Sequence, residues 1–230
     1  MKFYLIFACL LLINVLHAQE EEEYTYYDEV FNKNIIEGGL SYFIPQSDFG
    51  RKSANNGLGG EFSYLRQINY SRIFLGFSYS SRKLDSYTLL DFAPDLDLQT
   101  KVVNNNFTFL GRIYPQVYFS IFELFGEAGV GLNSIKAFSR DYDRIDGAYY
   151  NQFTNNVDRK IYFYGGGGLH ITLDESWFLT TKAYTAYGPT IAFFSKKDNL
   201  TNIEFSEDAF ELKEATYRAT SISLSLSFIF

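Results

Sequence analysis

Residues 217–230 read Y-R-A-T-S-I-S-L-S-L-S-F-I-F. From Thr220 onward one parity carries Thr220, Ile222, Leu224, Leu226, Phe228 and Phe230, the other Ala219, Ser221, Ser223, Ser225 and Ser227, with Ile229 out of step. Successive side chains of a strand point to opposite faces, so this stretch has one apolar face and one lined by hydroxyls. A soluble sandwich strand shows the same alternation, but soluble domains commonly finish in a polar, frayed tail rather than on Phe-x-Phe. A membrane barrel strand needs about 10 such residues and an aromatic at the interface.

These residues resemble the closing strand of Gram-negative outer-membrane β-barrels, whose terminal Phe, preceded by apolar residues at every second position, is the insertion signal of that family. Here the pattern is Phe230, Phe228, Leu226, Leu224 and Ile222. The resemblance implies the barrel assembly machinery and outer-membrane lipids as partners, and the outer membrane of a Gram-negative bacterium as the location.

The start of the chain agrees with export. Lys2 precedes an apolar run from Phe3 to Leu12 that continues through Ile13, Val15 and Leu16, followed by His17, Ala18 and Gln19. This pattern predicts a signal peptide over 1–18, cleaved after Ala18. The run is shorter than the roughly 20 residues of a spanning helix. Cys9 lies within it, so the mature chain is expected to contain no cysteine, and hence no disulfide, thiol nucleophile or thiolate metal site. Residues 19–33, with Glu20 to Glu23 and then Tyr24, Tyr26 and Tyr27, read as an acidic periplasmic leader, either solvated or docking a periplasmic partner.

The chain has 20 basic against 27 acidic residues and no basic run, which argues against a nucleic-acid partner. It holds 24 Phe and 19 Tyr at a mean hydropathy of only −0.13, as expected of a structure apolar on an outer belt and polar within. No run after the signal is long enough for a membrane helix, so any span must be built of strands.

Period-two patterns predict strands near 34–44, 58–68, 71–82, 103–114, 122–133, 160–172, 177–188 and 216–230. Connections around 45–57, 83–102, 134–159 and 189–215 are long and polar, whereas those near Asn69-Tyr70, Tyr114–Ile121 and Asp174–Ser176 are short. That strict alternation is the layout of an outer-membrane barrel with long loops outside the cell and tight turns in the periplasm. The expected fold is all-β, an eight-stranded antiparallel up-and-down transmembrane β-barrel over 34–230, of the small OmpA-like kind, with no appended peptidoglycan-binding domain.

A soluble lipocalin-like barrel is the rival architecture, but its apolar face points inward. Here one parity carries Glu37, Glu61, Arg72, Arg112, Glu127 and Lys182, so the opposite parity must face lipid. That outward set includes Leu40 and Tyr42, Phe62 and Tyr64, Leu75 and Phe77, Phe107 and Phe109, Val130 and Leu132, Phe163 and Leu169, and Trp177 and Leu179.

The charged set and His170 form the candidate site: a luminal charge network that plugs the barrel together with Phe43, Phe74, Tyr162, Tyr164 and Tyr184, because eight strands enclose a space that side chains just fill. No catalytic residue, cofactor or metal is expected. Gly165 to Gly168 lack the Gly-Lys-Ser/Thr of a phosphate loop and sit inside a strand, where they leave room for bulky groups. Asp141, Asp143 and Asp146 only partly match a calcium loop, because Ile145 occupies a ligand position. The function expected is a structural or interaction scaffold acting through outer loops that hold Tyr87, Phe92, Tyr149, Tyr150, Phe193 and Phe194, which either bind partners or cap the barrel. A lipid-modifying enzyme and a narrow porin are the alternatives.

Overall fold

A computed structural model describes residues 33–230, apart from 53–54, 70, 116–117, 120 and 201–202. The expected signal peptide with Cys9, the leader as far as Asn32, and Tyr70 lie outside the described residues.

The strands are β1 (Asn34–Pro45), β2 (Gly57–Gln67), β3 (Ile73–Ala93), β4 (Leu96–Ile113), β5 (Tyr118–Phe119), β6 (Phe122–Asp143), β7 (Tyr149–Thr172), β8 (Trp177–Lys196) and β9 (Phe210–Ile229). The two-residue β5 pairs only with the start of β6. The other eight form one antiparallel ring, which β1–β9 and β4–β6 pairing closes. At the β1–β9 seam Leu40 faces Leu224, and beyond the paired register the Asn34 and Phe230 amides each donate to the other's carbonyl at 2.7 and 3.0 Å. Closure removes both edges, which is the condition for placing strands in hydrocarbon.

The alternation read in 217–230 sets the wall's polarity. Ser221, Ser223, Ser225 and Ser227 are buried inside, while Ile222, Leu224 and Leu226 are exposed outside. Around the ring Leu40, Phe62, Leu75, Phe109, Val130, Phe163 and Trp177 continue the exposed apolar belt. An apolar outer wall around a polar interior is stable in lipid and costly in water.

Three of the four long connections are not loops. β3 and β4 continue to a turn at 94–95, β6 and β7 to a turn at 144–148, and β8 and β9 to a segment at 197–209. Only 46–56 stays a loop, carrying the short helix α1 (Ser47–Lys52). With 22 residues in β6 and 24 in β7, these strands are about twice the 9–11 residues that cross a bilayer. β7 pairs with β8 only between Phe163–Tyr187 and Thr172–Phe178, so past the belt the wall divides into a β3–β4–β6–β7 blade and a β8–β9 blade.

Candidate functional site

The lumen fills in three layers. At the tight-turn end Tyr114, Phe125 and Phe178 pack around His170, with ring centroids 4.8 Å (Phe125), 5.6 Å (Tyr114) and 5.8 Å (Phe178) from the imidazole, and Phe74 packs edge-on against Tyr114 at 5.3 Å. His170 is fully buried; its Nε2 lies 2.8 Å from the Tyr114 hydroxyl and its Nδ1 2.6 Å from Thr180 Oγ1.

The middle layer is ionic. β4 brings in Arg112, which donates from Nε and Nη2 to Glu127 Oε2 (2.9 and 2.6 Å) and from Nη1 and Nη2 to the two oxygens of Glu37. Its guanidinium also lies 4.1 Å from the Phe125 ring centroid. Lys182 on β8 stands between three carboxylates, with Nζ 2.5 Å from Glu61, 3.6 Å from Glu37 and 3.8 Å from Glu127. Arg82 on β3 donates to Ser41 Oγ (2.9 Å) and to the Tyr184 hydroxyl (2.6 Å), and its Nη2 is 3.5 Å from Glu61. The Tyr164 hydroxyl donates to Glu127 Oε1 at 2.7 Å. Three carboxylates, Glu37, Glu61 and Glu127, thus meet three cations, Arg82, Arg112 and Lys182, and the layer is neutral as a whole.

Above it the lumen is aromatic again. Phe49 of α1 is fully buried, with its ring 4.9 Å from Phe193, 5.3 Å from Tyr217 and 6.3 Å from Phe43. Asn104, Asn106 and Asn133 form a buried amide cluster. The 3-10 turn Ser206–Ala209 then leans from the β8–β9 blade onto the other: Ser206 bonds Thr100 at 2.6 Å, and Glu207 accepts from Asn155 at 3.0 Å.

Glycines make the packing feasible at two points. A Cβ on Gly129 would run into the Tyr164 ring, and one on Gly168 would run into the Phe125 ring. The gap bounded by Ser78, Thr108, Tyr162 and Tyr164 has no room for a water molecule.

Of the residues singled out in the sequence, Glu37, Glu61, Arg112, Glu127 and Lys182 meet in one layer, and His170 adjoins it through Arg112, 3.4 Å away. Arg72 is a correction. It precedes β3 at the tight-turn end, half-buried, and donates to the Pro115 carbonyl at 3.1 Å, because the strand starts at Ile73 rather than 71. Its place among the cations is taken by Arg82, which the sequence reading missed. Arg82 shares the inward parity of Phe74, Ser78 and Ser80, so parity carried through the predicted strand end was the available signal.

The loop aromatics divide. Phe193 is buried and Phe194 stacks on Phe210 at 6.4 Å, whereas Phe92, Tyr149 and Tyr150 remain exposed. In the β6–β7 turn the Asp143 carboxylate accepts from the Ile145 amide, and Asp146 accepts from the Ala148 amide and the Tyr150 hydroxyl. The Tyr150 bond holds the Asp146 carboxyl below the usual aspartate value. Arg144 ties this turn to the neighbouring one, 2.6 Å from Asp91 and 3.6 Å from Asp97, and the Asp91 bond raises its pKa further.

No protein-family model matches the chain, and no curated protein matches it in sequence. Solved structures do match in fold. A major outer membrane protein from Thermus thermophilus aligns over 87% of this chain and 100% of its own, at 10% identity and a TM-score of 0.54. The fold is that of the small outer-membrane β-barrels. Ail, the attachment invasion locus protein of Yersinia pestis, aligns over 87% of this chain and 100% of its own (14% identity, TM-score 0.49). Neisserial surface protein A aligns over 85% of this chain and 96% of its own (10% identity, TM-score 0.46). At such identities the likeness speaks to architecture alone, so any role has to be argued from this chain's own residues.

Proposed function

We propose that this outer-membrane barrel is a closed platform: delivered by a signal peptide cleaved after Ala18, inserted by the barrel assembly machinery, and displaying its long hairpins outside the cell without conducting solutes. The observation that carries this is the lumen. Arg112 and Lys182 are paired with Glu37, Glu61 and Glu127, Arg82 is held by Ser41, Tyr184 and, at 3.5 Å, Glu61, and aromatic layers seal the lattice from both sides. Ions crossing a pore need weakly held, hydrated charges, whereas these are locked onto one another.

The hairpins are the second support. A protein needing only an anchor would end its strands at the belt, yet β3–β4 and β6–β7 extend well past it and present Phe92, Tyr149 and Tyr150 to solvent. Exposed aromatics on rigid strands suit a binding surface for a protein or glycan partner. No catalytic step belongs to this reading. His170, the one imidazole of the described residues, lies fully buried at the tight-turn end, away from the hairpins.

Cysteine labelling on intact cells tests the display. A membrane-impermeant maleimide is expected to modify Ile145→Cys, at a position 78% exposed in the β6–β7 turn, but not Glu175→Cys in the β7–β8 turn. The reverse pattern would refute the proposed orientation.

A further inference from the structure

β8 and β9 lose their neighbours at the same level of the wall. β7 leaves β8 after Phe163–Tyr187, β1 leaves β9 after Pro45–Ala219, and Tyr187 pairs with Arg218, next to Ala219. Beyond that level the two strands run on to Lys196 and Phe210 as a hairpin whose ladder joins them only to each other. The neighbouring hairpins are braced: β4 and β6 stay paired out to Leu96–Asp143.

The root of this free hairpin is a break in the ladder. The register shifts between Tyr187 and Thr190, so Gly188 and Pro189 bulge opposite Tyr217, and Pro189 has no amide to give to a neighbouring strand. The luminal lattice draws Lys182 and Tyr184 from β8, both below the bulge.

Side chains and one strap hold the hairpin down. Ile191, Phe193, Phe210 and Ala215 share a buried cluster with Leu84, Val102, Ile135 and Ala137 of the four-stranded blade. Besides the Ser206–Thr100 and Glu207–Asn155 bonds, the Ala192 amide donates to the Asp158 carboxylate at 2.8 Å. The loop carrying α1 straps the β9 edge: the Gln46 amide donates to the Arg218 carbonyl and Lys52 Nζ to the Glu214 carbonyl, both at 2.8 Å, with the Phe49 ring against Phe193 and Tyr217. Closure also carries a cost, because Ser195 Oγ on the hairpin and Asn155 Oδ1 on the blade are buried without a hydrogen-bond partner.

A unit without a strand on either side, rooted at a broken ladder, opens at lower free energy than the strands braced on both sides below it. We propose that 190–196 and 210–217, with the 3-10 turn Ser206–Ala209, form a lid hinged at Gly188–Pro189 that swings off the four-stranded blade as one body while the lumen below stays closed. Opening uncovers the aliphatic side chains of Val102, Ile135 and Ala137, which the closed lid keeps buried. The lid goes beyond the platform reading and is independent of which side of the membrane the hairpins face.

The test is hydrogen–deuterium exchange of the chain from Gln19, refolded in lipid. The expected result is that the amides of 190–196 and 210–217 exchange together, about tenfold or more faster than those of 177–186 and 219–228. Oxidation of the Thr100→Cys, Ser206→Cys variant, at a pair of side chains whose oxygens lie 2.6 Å apart, should slow the lid to the rate of the strands below, and dithiothreitol should restore it. Phe49→Ala, which loosens the strap, should quicken the lid and leave 177–186 unchanged. Rates that climb gradually from Tyr187 to Lys196 would mean fraying from the tip and overturn the lid. Equal rates above and below Gly188–Pro189, or a disulfide without effect on them, would overturn it too. Each of these outcomes leaves the closed lumen standing, because conductance tests that separately.

Discussion

Arg112 on β4 and Glu37 on β1 meet across the lumen in a two-pronged ion pair, although 75 residues separate them in the chain. Two strands, β3 and β2, stand between the backbones that carry them along the shorter way round the ring. The pair therefore spans the barrel rather than lining one wall, and it blocks the path a solute would take.

Removing one partner strands the other. Arg112→Ala leaves Glu37 with only Lys182 at 3.6 Å, and the expected loss of stability in lipid is about 3 to 5 kcal/mol. The Glu37→Ala, Arg112→Ala double variant is expected to lose less than the two single losses added, because the unpaired-charge penalty is then gone. Urea unfolding of the refolded proteins in lipid checks this; strict additivity would refute the pairing.

Lys182 and Arg82 are expected to differ in weight. Lys182 serves three carboxylates, whereas Arg82 lies 3.5 Å from Glu61 and donates otherwise to Ser41 and Tyr184. After Arg82→Met, Glu61 keeps Lys182 at 2.5 Å; after Lys182→Met, all three acids lose a cation. The same unfolding series should rank Lys182→Met as the more damaging change.

Phe49 is expected to pin the first loop. Its ring is fully buried among Phe43, Phe193 and Tyr217, so Phe49→Ala should cost about 3 to 5 kcal/mol if the loop could not detach. The loop can detach without unfolding the ring, so the expected outcome is local release. Limited proteolysis should then cut within 46–56 while the barrel keeps its heat-modifiable mobility.

Much of this architecture was legible in the sequence, for a physical reason. Inside the bilayer one face of each strand meets lipid and the other a polar lumen, so the period-two signal is strong from Asn34 to Phe43 and from Thr220 to Phe228. Beyond the belt that contrast fades. Residues 83–102 and 134–159 alternate between water and a mixed interior, and extra residues at Leu84 of β3 and Asn155 of β7 shift the register with the neighbouring strand. The strands run on while the pattern stops, so polar strands looked like loops. Arg82 was lost at that boundary, and Arg72 gained a luminal place from a strand begun two residues early.

The β6–β7 turn has its own pH dependence. The bonds from Tyr150 and the Ala148 amide favour the charged Asp146 carboxylate, so its folded pKa lies below the ordinary 3.8. A depressed carboxylate contributes order that is fully present above the unfolded pKa and is lost as pH falls through the folded value. Amide exchange at Ala148 should therefore stay slow down to about pH 3.8 and quicken only below it. Asp146→Asn should abolish that step; an unchanged profile would contradict the assignment.

Planar-bilayer recording of the refolded wild type tests the closed lumen most directly. With Arg112 and Lys182 locked onto Glu37, Glu61 and Glu127, Arg82 held by Ser41, Tyr184 and Glu61, and Phe49 seated above them, no steady single-channel current is expected. Large, stable, voltage-independent channels from the correctly folded protein would contradict the account and make the barrel a porin.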